Sequence, residues 1–280
     1  MKRLTVKPYG GIANRIRTIE AAHAFATYHS AELSILWEKN EHLNAFFQAC
    51  FEVIPHVKLL NVDMAGSRFT DKIRRRVRSI FNRIWVASSH SVQIGERELL
   101  PLLDKETVDL AEMQTYFDQL AATHDALYIE SCWAFYPAPD REPVISIRKD
   151  IQAVAKSYVN DSAPFVGVHI RRTDHQEAIN HSPIELFVAK MKETCHKQPD
   201  VCFYVATDSV EVLNELTSHF GSRIITGVSN RSRNSEQGIK DALLDLSCLS
   251  RTNQIWGSFN STFSERAALL GNVQLEILRI

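Results

Sequence analysis

Short apolar runs alternate with longer stretches of helical periodicity along most of the chain, a pattern that predicts strands and helices in turn. Leu4–Lys7 reads as a strand that runs into Tyr9-Gly10-Gly11 and then a helical stretch from Ile12 to about His29. Leu33–Trp37 and Val57–Leu60 are further strand candidates, with a helix expected over Leu43–Phe51 between them. Val92–Thr123 shows no clear period, and Ala126–Ile129 again reads as a strand. Pro137, Pro139 and Pro143 then interrupt any regular element. A domain boundary is expected there, dividing the chain into residues 1–145 and 146–280.

The second half is more regular. Apolar runs at Phe165–Ile170, Val201–Ala206, Arg223–Thr226 and Gln254–Trp256 alternate with helical patterns at Ile184–Cys195, Val210–Phe220, Gly238–Leu249 and Phe263–Leu270. Such a series predicts parallel strands joined by right-handed crossovers, hence an α/β fold. Ser182-Pro183-Ile184-Glu185 places Ser, Pro and Glu where an N-cap, a first-turn proline and a capping box need them. Asp208-x-x-Glu211 and Thr262-x-x-Glu265 have related forms, and the polar stretch Ser229–Gln237 reads as a surface loop.

One segment differs in character. Thr70–Trp85 carries Ile73, Val77, Ile80, Phe81 and Ile84 at helical spacing, with Lys72, Arg74, Arg75, Arg76, Arg78 and Arg83 around the remaining face. A basic amphipathic helix of this kind suits either an ordinary solvated surface or peripheral contact with an anionic membrane through Lys72–Arg83.

Composition narrows the classes. With 45% hydrophobic and 23% charged residues the chain is an ordinary globular one. Lys plus Arg (32) balance Asp plus Glu (33), so no global basic field steers it onto nucleic acid, and any anion site must be local. The cysteines Cys50, Cys132, Cys195, Cys202 and Cys248 contain no C-x-x-C pair, which favours a reducing compartment and gives no metal site. The basic start at Met1–Pro8 is not followed by a signal-peptide stretch, and no segment approaches a membrane span. The expected location is cytoplasmic, with peripheral attachment at the inner membrane as the variant.

In parallel α/β sheets ligands bind beyond the carboxyl ends of the strands, so the polar residues just after each strand are the candidates. His169-Ile170-Arg171-Arg172-Thr173-Asp174 ends a buried strand in two guanidinium groups, whose fixed forks suit phosphate oxygens. From these residues alone an anion site and an internal pairing with Asp174 or Glu177 are equally open. Asp208 follows the next strand, where a helix N-cap is the leading reading. Asp245 sits among Leu243, Leu244, Leu246 and Leu249, where a carboxylate needs a partner; a helix-surface salt bridge or a guanine base would serve. Gly257-Ser258-Phe259-Asn260-Ser261-Thr262 lies between a strand and a helix, a natural phosphate seat. Gly10-Gly11, followed by Asn14 and Arg15, is similar in kind but has neither the Walker nor the dinucleotide pattern.

Taken together these segments resemble the superfamily of α1,6-fucosyltransferases, nodulation fucosyltransferases and protein O-fucosyltransferases. Gly10-Gly11-Ile12-Ala13-Asn14-Arg15 is similar to its N-terminal motif, Val166–Asp174 to its central motif, and Asp241–Gly271 to its C-terminal one. Glu177–Pro183 is similar to a Glu-x-x-x-His-Pro stretch, here with Ser182 inserted between His181 and Pro183.

The resemblance implies a glycosyltransferase B-type fold, with two Rossmann-like domains facing a cleft, the first on the acceptor side and the second binding the GDP-sugar. It implies an inverting, metal-independent transferase that moves a sugar, L-fucose first, from a GDP-sugar to a hydroxyl of an oligosaccharide or lipid-linked glycan, with no cofactor beyond that donor substrate. Another GDP-hexose, or a non-catalytic nucleotide-binding protein of the same fold, is the alternative. Arg171 would hold the β-phosphate, His169 and Asp245 the guanosine, and Ser261 with Thr262 the diphosphate. Gly11 and Asn14 would face the donor, with Asp208 in or beside the site. Glu177 would be the general base, with Asp174 second. Chain length and the lack of a Golgi-type anchor point to a bacterial enzyme.

Overall fold

The computed structural model describes residues 1–66, 69–103, 109–138, 143–160, 164–173, 176–228, 232 and 234–280. The chain forms two compact units, Met1–Ser146 with Arg233–Glu236, and Ile147–Ser232 with Gln237–Ile280. Each has its own parallel sheet. Among the described residues no helix is long and apolar enough to cross a membrane.

The first unit runs β1 (Arg3–Pro8), α1 (Ile12–Tyr28), β2 (Glu32–Lys39), α2 (Phe47–Cys50), β3 (Val57–Asp63), α3 (Phe69–Ser89), β4 (Val92–Ile94), α4 (Glu96–Leu103), α5 (Leu110–Thr123) and β5 (Ala126–Ser131). Its strand order is β3-β2-β1-β5-β4, all parallel. The helix expected over Leu43–Phe51 shrinks to one turn, α2. Upstream of it, Asn40 turns the chain by accepting from the backbone N–H groups of His42 and Leu43 through its side chain, and the Trp37 indole donates to Ala45 O at 2.9 Å. Buried Trp37, Phe47 and Phe51 then pack with ring centroids 5.1–6.0 Å apart.

The second unit runs α6 (Lys149–Tyr158), β6 (Phe165–Ile170), α7 (Gln176–His181), α8 (Ile184–Lys197), β7 (Cys202–Thr207), α9 (Val210–Phe220), β8 (Ile224–Ile225), α10 (Glu236–Leu249), β9 (Gln254–Ser258), α11 (Thr262–Gly271) and β10 (Gln274–Leu278). Its order is β10-β9-β6-β7-β8, again all parallel, with β6 in the middle. Alternation along the strands sorts the two faces. Val166, Val168 and Ile170 join Phe203, Val205 and Trp256 in a core shared with Phe187 and Met191 of α8 and Val212 and Leu216 of α9. Burying each such side chain stabilises the fold by about 1.5–3 kcal/mol. The other face presents Gly167, His169, Tyr204 and Gly257, which the register aligns on neighbouring strands.

Small residues on that second face let helices approach. A Cβ at Gly167 would come within 2.8 Å of Thr252 Oγ1 and 2.9 Å of Leu249 Cδ2, and one at Gly257 within 2.6 Å of Ser264 Oγ.

Three caps differ from the sequence reading. Pro183, not Ser182, occupies the N-cap of α8, because the buried Ser182 hydroxyl instead donates to Leu278 O at 2.5 Å and accepts from Phe259 N–H at 2.8 Å. Ser209, not Asp208, caps α9 through its hydroxyl. Ser261, not Thr262, is the N-cap of α11. The loop expected over Ser229–Gln237 gives way to α10 at Glu236, while residues 229–231 and 233 of it lie outside the described residues.

Candidate active site

The carboxyl end of β6 is built from a chain of hydrogen bonds to its neighbours. Arg171 N–H donates to Ser258 Oγ at the end of β9 (3.1 Å), and the same hydroxyl lies 3.4 Å from His169 O. On the other side Asp208, just past β7, accepts from Arg172 N–H (2.7 Å), Thr173 N–H (3.2 Å) and the Thr173 hydroxyl (2.8 Å). Arg172 folds back, donating to Arg171 O at 2.8 Å and Ser182 O at 2.7 Å. Arg171 is thereby held by its backbone between two strands, whereas the Arg172 guanidinium is used for bonds to the chain itself.

Asp208 is a brace. Burial pushes its pKa up, but the Thr173 hydroxyl, the backbone N–H groups of Thr173 and Arg172 and the Arg171 charge outweigh that and hold it below the ordinary aspartate value. The carboxylate therefore accepts three bonds from the loop after β6 instead of capping α9.

His169 is buried, with Nδ1 sharing a hydrogen bond with Ser264 Oγ at 2.7 Å and Ser261 Oγ at 3.4 Å, and its ring 4.9 Å from that of Phe263. Burial first, and the Arg171 charge second, push its pKa down to about 4. The imidazole is neutral at ordinary pH, so Arg171 supplies the positive charge here. Asn260, at φ 53°, bends the chain into Ser261, whose side chain makes no capping bond to α11. Thr262 is the first residue of that helix, so Ser261, Thr262 and the first-turn N–H groups stand at one end of α11.

Asp245, buried on α10, accepts from the Tyr204 hydroxyl at 2.7 Å; the same phenol receives Gly227 N–H at 3.3 Å. Tyr204 pairs with Gly167 in the register and so shares the sheet face of His169. Glu177 is exposed in the first turn of α7. Asp174, the second carboxylate expected there, lies outside the described residues.

The structure thus gathers His169, Arg171, Ser261 and Thr262 around the ends of β6 and β9, and places Asp245 on the helix over the same face. Gly11 and Asn14 belong to the first unit. Gly11 is the N-cap of α1 and has open space where a Cβ would stand, after Gly10 at φ 80°. Asn14 Oδ1 is buried with no hydrogen-bond partner among the described residues. Arg15 is structural: fully buried, it donates to Gly10 O, Glu38 O and Asn40 Oδ1 and stacks on Trp37.

Two groups escape a sequence reading. Tyr204 is one, since only strand register places it under Asp245. The other is Lys7, which bridges Glu38 and Glu130 at 3.2 and 3.0 Å at the carboxyl ends of β1, β2 and β5. Burial works against its charge, but the two carboxylates raise its pKa overall.

No protein-family model and no curated protein sequence matches the chain. Solved structures do. The α1,6-fucosyltransferase NodZ soaked with GDP-fucose superposes with a TM-score of 0.61 at 18% identity, covering 96% of this chain and 93% of that one. Fucosyltransferase NodZ from Bradyrhizobium gives 0.60 at 19% identity with the same coverage. POFUT1 in complex with GDP-fucose gives 0.58 at 14%, covering 100% of this chain and 99% of that one. The chain has the fold of these fucosyltransferases. That fucosyltransferase fold is the α/β, glycosyltransferase B-type arrangement with two Rossmann-like domains, and it extends over nearly the full length of both partners.

Proposed function

We propose that the chain is an inverting glycosyltransferase that moves L-fucose from GDP-fucose to a hydroxyl of an oligosaccharide or lipid-linked glycan. The observation that carries this reading is the anchoring of Arg171 at the carboxyl end of β6, two residues past His169, which bonds Ser264 and Ser261 at the start of α11, in a fold shared with proteins that hold GDP-fucose. The Arg171 fork and the α11 N–H groups bind the diphosphate, and Ser261 and Thr262 add hydroxyl donors. His169 and Asp245 take the guanosine. A carboxylate accepts several hydrogen bonds, so Asp245 can hold Tyr204 and a guanine N–H together. Residues 146–280 form the donor side and residues 1–145 the acceptor side.

The reaction is a displacement at the anomeric carbon. The acceptor oxygen forms the new bond as the bond from carbon to the GDP oxygen breaks, and the electron pair leaves with GDP. Negative charge grows on the diphosphate, where Arg171 and the helix start stabilise it without a metal. Glu177 takes the acceptor proton, with Asp174 as the second carboxylate in the same stretch. Asp208 acts through the loop it braces.

A donor screen that follows release of GDP or UDP from GDP-fucose, GDP-mannose and UDP-sugars, with and without EDTA, tests this. Turnover of GDP-fucose that EDTA leaves unchanged is expected. A strict metal requirement, or turnover of UDP-sugars alone, overturns it.

A further inference from the structure

Helix α3 of the first unit is amphipathic in the reverse sense. Its more covered positions, Asp71, Arg75, Arg78, Ser79, Asn82 and Val86, recur at helical spacing and are polar except for Val86. Val86 packs with Leu36 and Tyr128, Arg78 donates to the carbonyl of Asp63, and these contacts fix which side of the helix meets the sheet. The apolar side faces away. Ile73, Val77, Ile80, Phe81 and Ile84 are 45–66% exposed, and Trp85 at the end of the stripe is 37% exposed.

The stripe from Ile73 to Trp85 extends for roughly 18 Å along the helix axis. On a wheel of 100° per residue Arg74 falls at its aromatic end, between Phe81 and Trp85, and Lys72, Arg76 and Arg83 flank its other edge. The whole helix carries six basic residues and one acidic one, in a chain whose net charge is −1. A core helix buries its apolar stripe against its own sheet; here the sheet side is polar, and among the described residues the stripe stays exposed.

We infer that α3 lies in the interface of an anionic lipid bilayer, with Ile73, Ile80, Phe81 and Ile84 among the acyl chains and the basic side chains at the headgroups. Charge chooses this occupant over a second copy of the chain. Two α3 helices laid stripe to stripe would bring their flanking Arg and Lys together, while anionic lipid supplies an apolar layer and the opposite charge at once. Long basic side chains reach up to the headgroups from the edge of such a stripe, and an aromatic at its end suits the boundary. The polar arc keeps the helix in the surface plane. This inference stands apart from the nucleotide site.

Co-sedimentation of the full chain with phosphatidylglycerol vesicles and with pure phosphatidylcholine vesicles tests it. Binding to the anionic vesicles is expected, weaker by about tenfold or more on neutral ones and at high salt. Ile80→Ser, Phe81→Ser and Ile84→Ser together should remove it, as should Lys72→Glu, Arg76→Glu and Arg83→Glu together, with thermal stability and GDP binding unchanged in both because these side chains are exposed. Equal binding by wild type and variants overturns the inference, as does no binding to anionic vesicles. A dimer in light scattering that the serine variant abolishes, without lipid binding, overturns it in favour of a second copy.

Discussion

Tyr204 donates its phenolic hydrogen to Asp245 Oδ1 across 2.7 Å, tying β7 to α10 on the sheet face that also carries His169. Burial, and then the Asp245 charge, raise the phenol well above its ordinary pKa, so the proton stays on Tyr204. Tyr204→Phe removes this bond while leaving the ring packing. The variant should lose about 1–3 kcal/mol of stability in urea titration, together with part of its preference for GDP over UDP in calorimetry. Wild-type values on both would detach Asp245 from the nucleotide reading.

His169 gives the fold a predicted acid response. Its pKa falls from 6.5 to about 4 on folding, so between those values the unfolded chain binds more protons than the folded one. Stability should be level above pH 6.5 and fall as pH drops toward 4, by on the order of 3 kcal/mol from this group. Denaturant titrations across that range check it, and His169→Gln should flatten the slope.

Asp208 acts in a lower window. Its folded pKa is depressed below 3.8, so its stabilising contribution is present above that pH and is lost as pH falls through the depressed value. Asp208→Asn should cost about 2 kcal/mol at neutral pH, because an amide cannot accept all three bonds from Arg172 and Thr173. Its effect on activity should come as a larger change in kcat than in GDP affinity, since Arg171 loses its setting and not its charge; an unaltered kcat would argue that the brace is dispensable.

Arg171→Lys should nearly abolish turnover while the fold survives, since a point charge cannot replace the bidentate fork on a leaving diphosphate. Steady-state rates with GDP-fucose decide this, and a variant that keeps most of its kcat moves the phosphate anchor elsewhere.

Gly257→Ala should damage the site through His169. The added Cβ would stand 2.6 Å from Ser264 Oγ, the atom that holds the imidazole at 2.7 Å. A fall in Tm of several degrees with weakened GDP binding is expected from a clash of this kind; unchanged GDP affinity would mean that the His169–Ser264 pair is not needed.

Much of the second unit was legible because local signals there are strong. Apolar runs mark β6, β7 and β9, and the forced exit of a buried strand into Arg171-Arg172 marks the site. The sequence missed β10, whose Gln274–Leu278 alternation is short and half-exposed, and left β4, α4 and α5 unread within Val92–Thr123 and α6 unnamed; β4, α4 and α6 are too short, at three, eight and ten residues, for a repeat to stand out. Caps at Ser182 and Asp208 were misread for a common reason. Each residue fits a local motif, but Ser182 bonds Leu278 and Phe259, 96 and 77 positions away, and Asp208 bonds Thr173, 35 away.

By itself the sequence determined what each segment could be: the alternation of strands and helices, the guanidinium pair at a strand end, and an amphipathic basic helix at 70–85. Only the tertiary structure decided which way those elements turned. Periodicity shows that α3 has an apolar side, yet contacts with Leu36, Tyr128 and Asp63 set that side outward. In the same way, strand register and not spacing put Tyr204 under Asp245, because hydrogen bonds and packing between distant segments are terms of the folded chain alone.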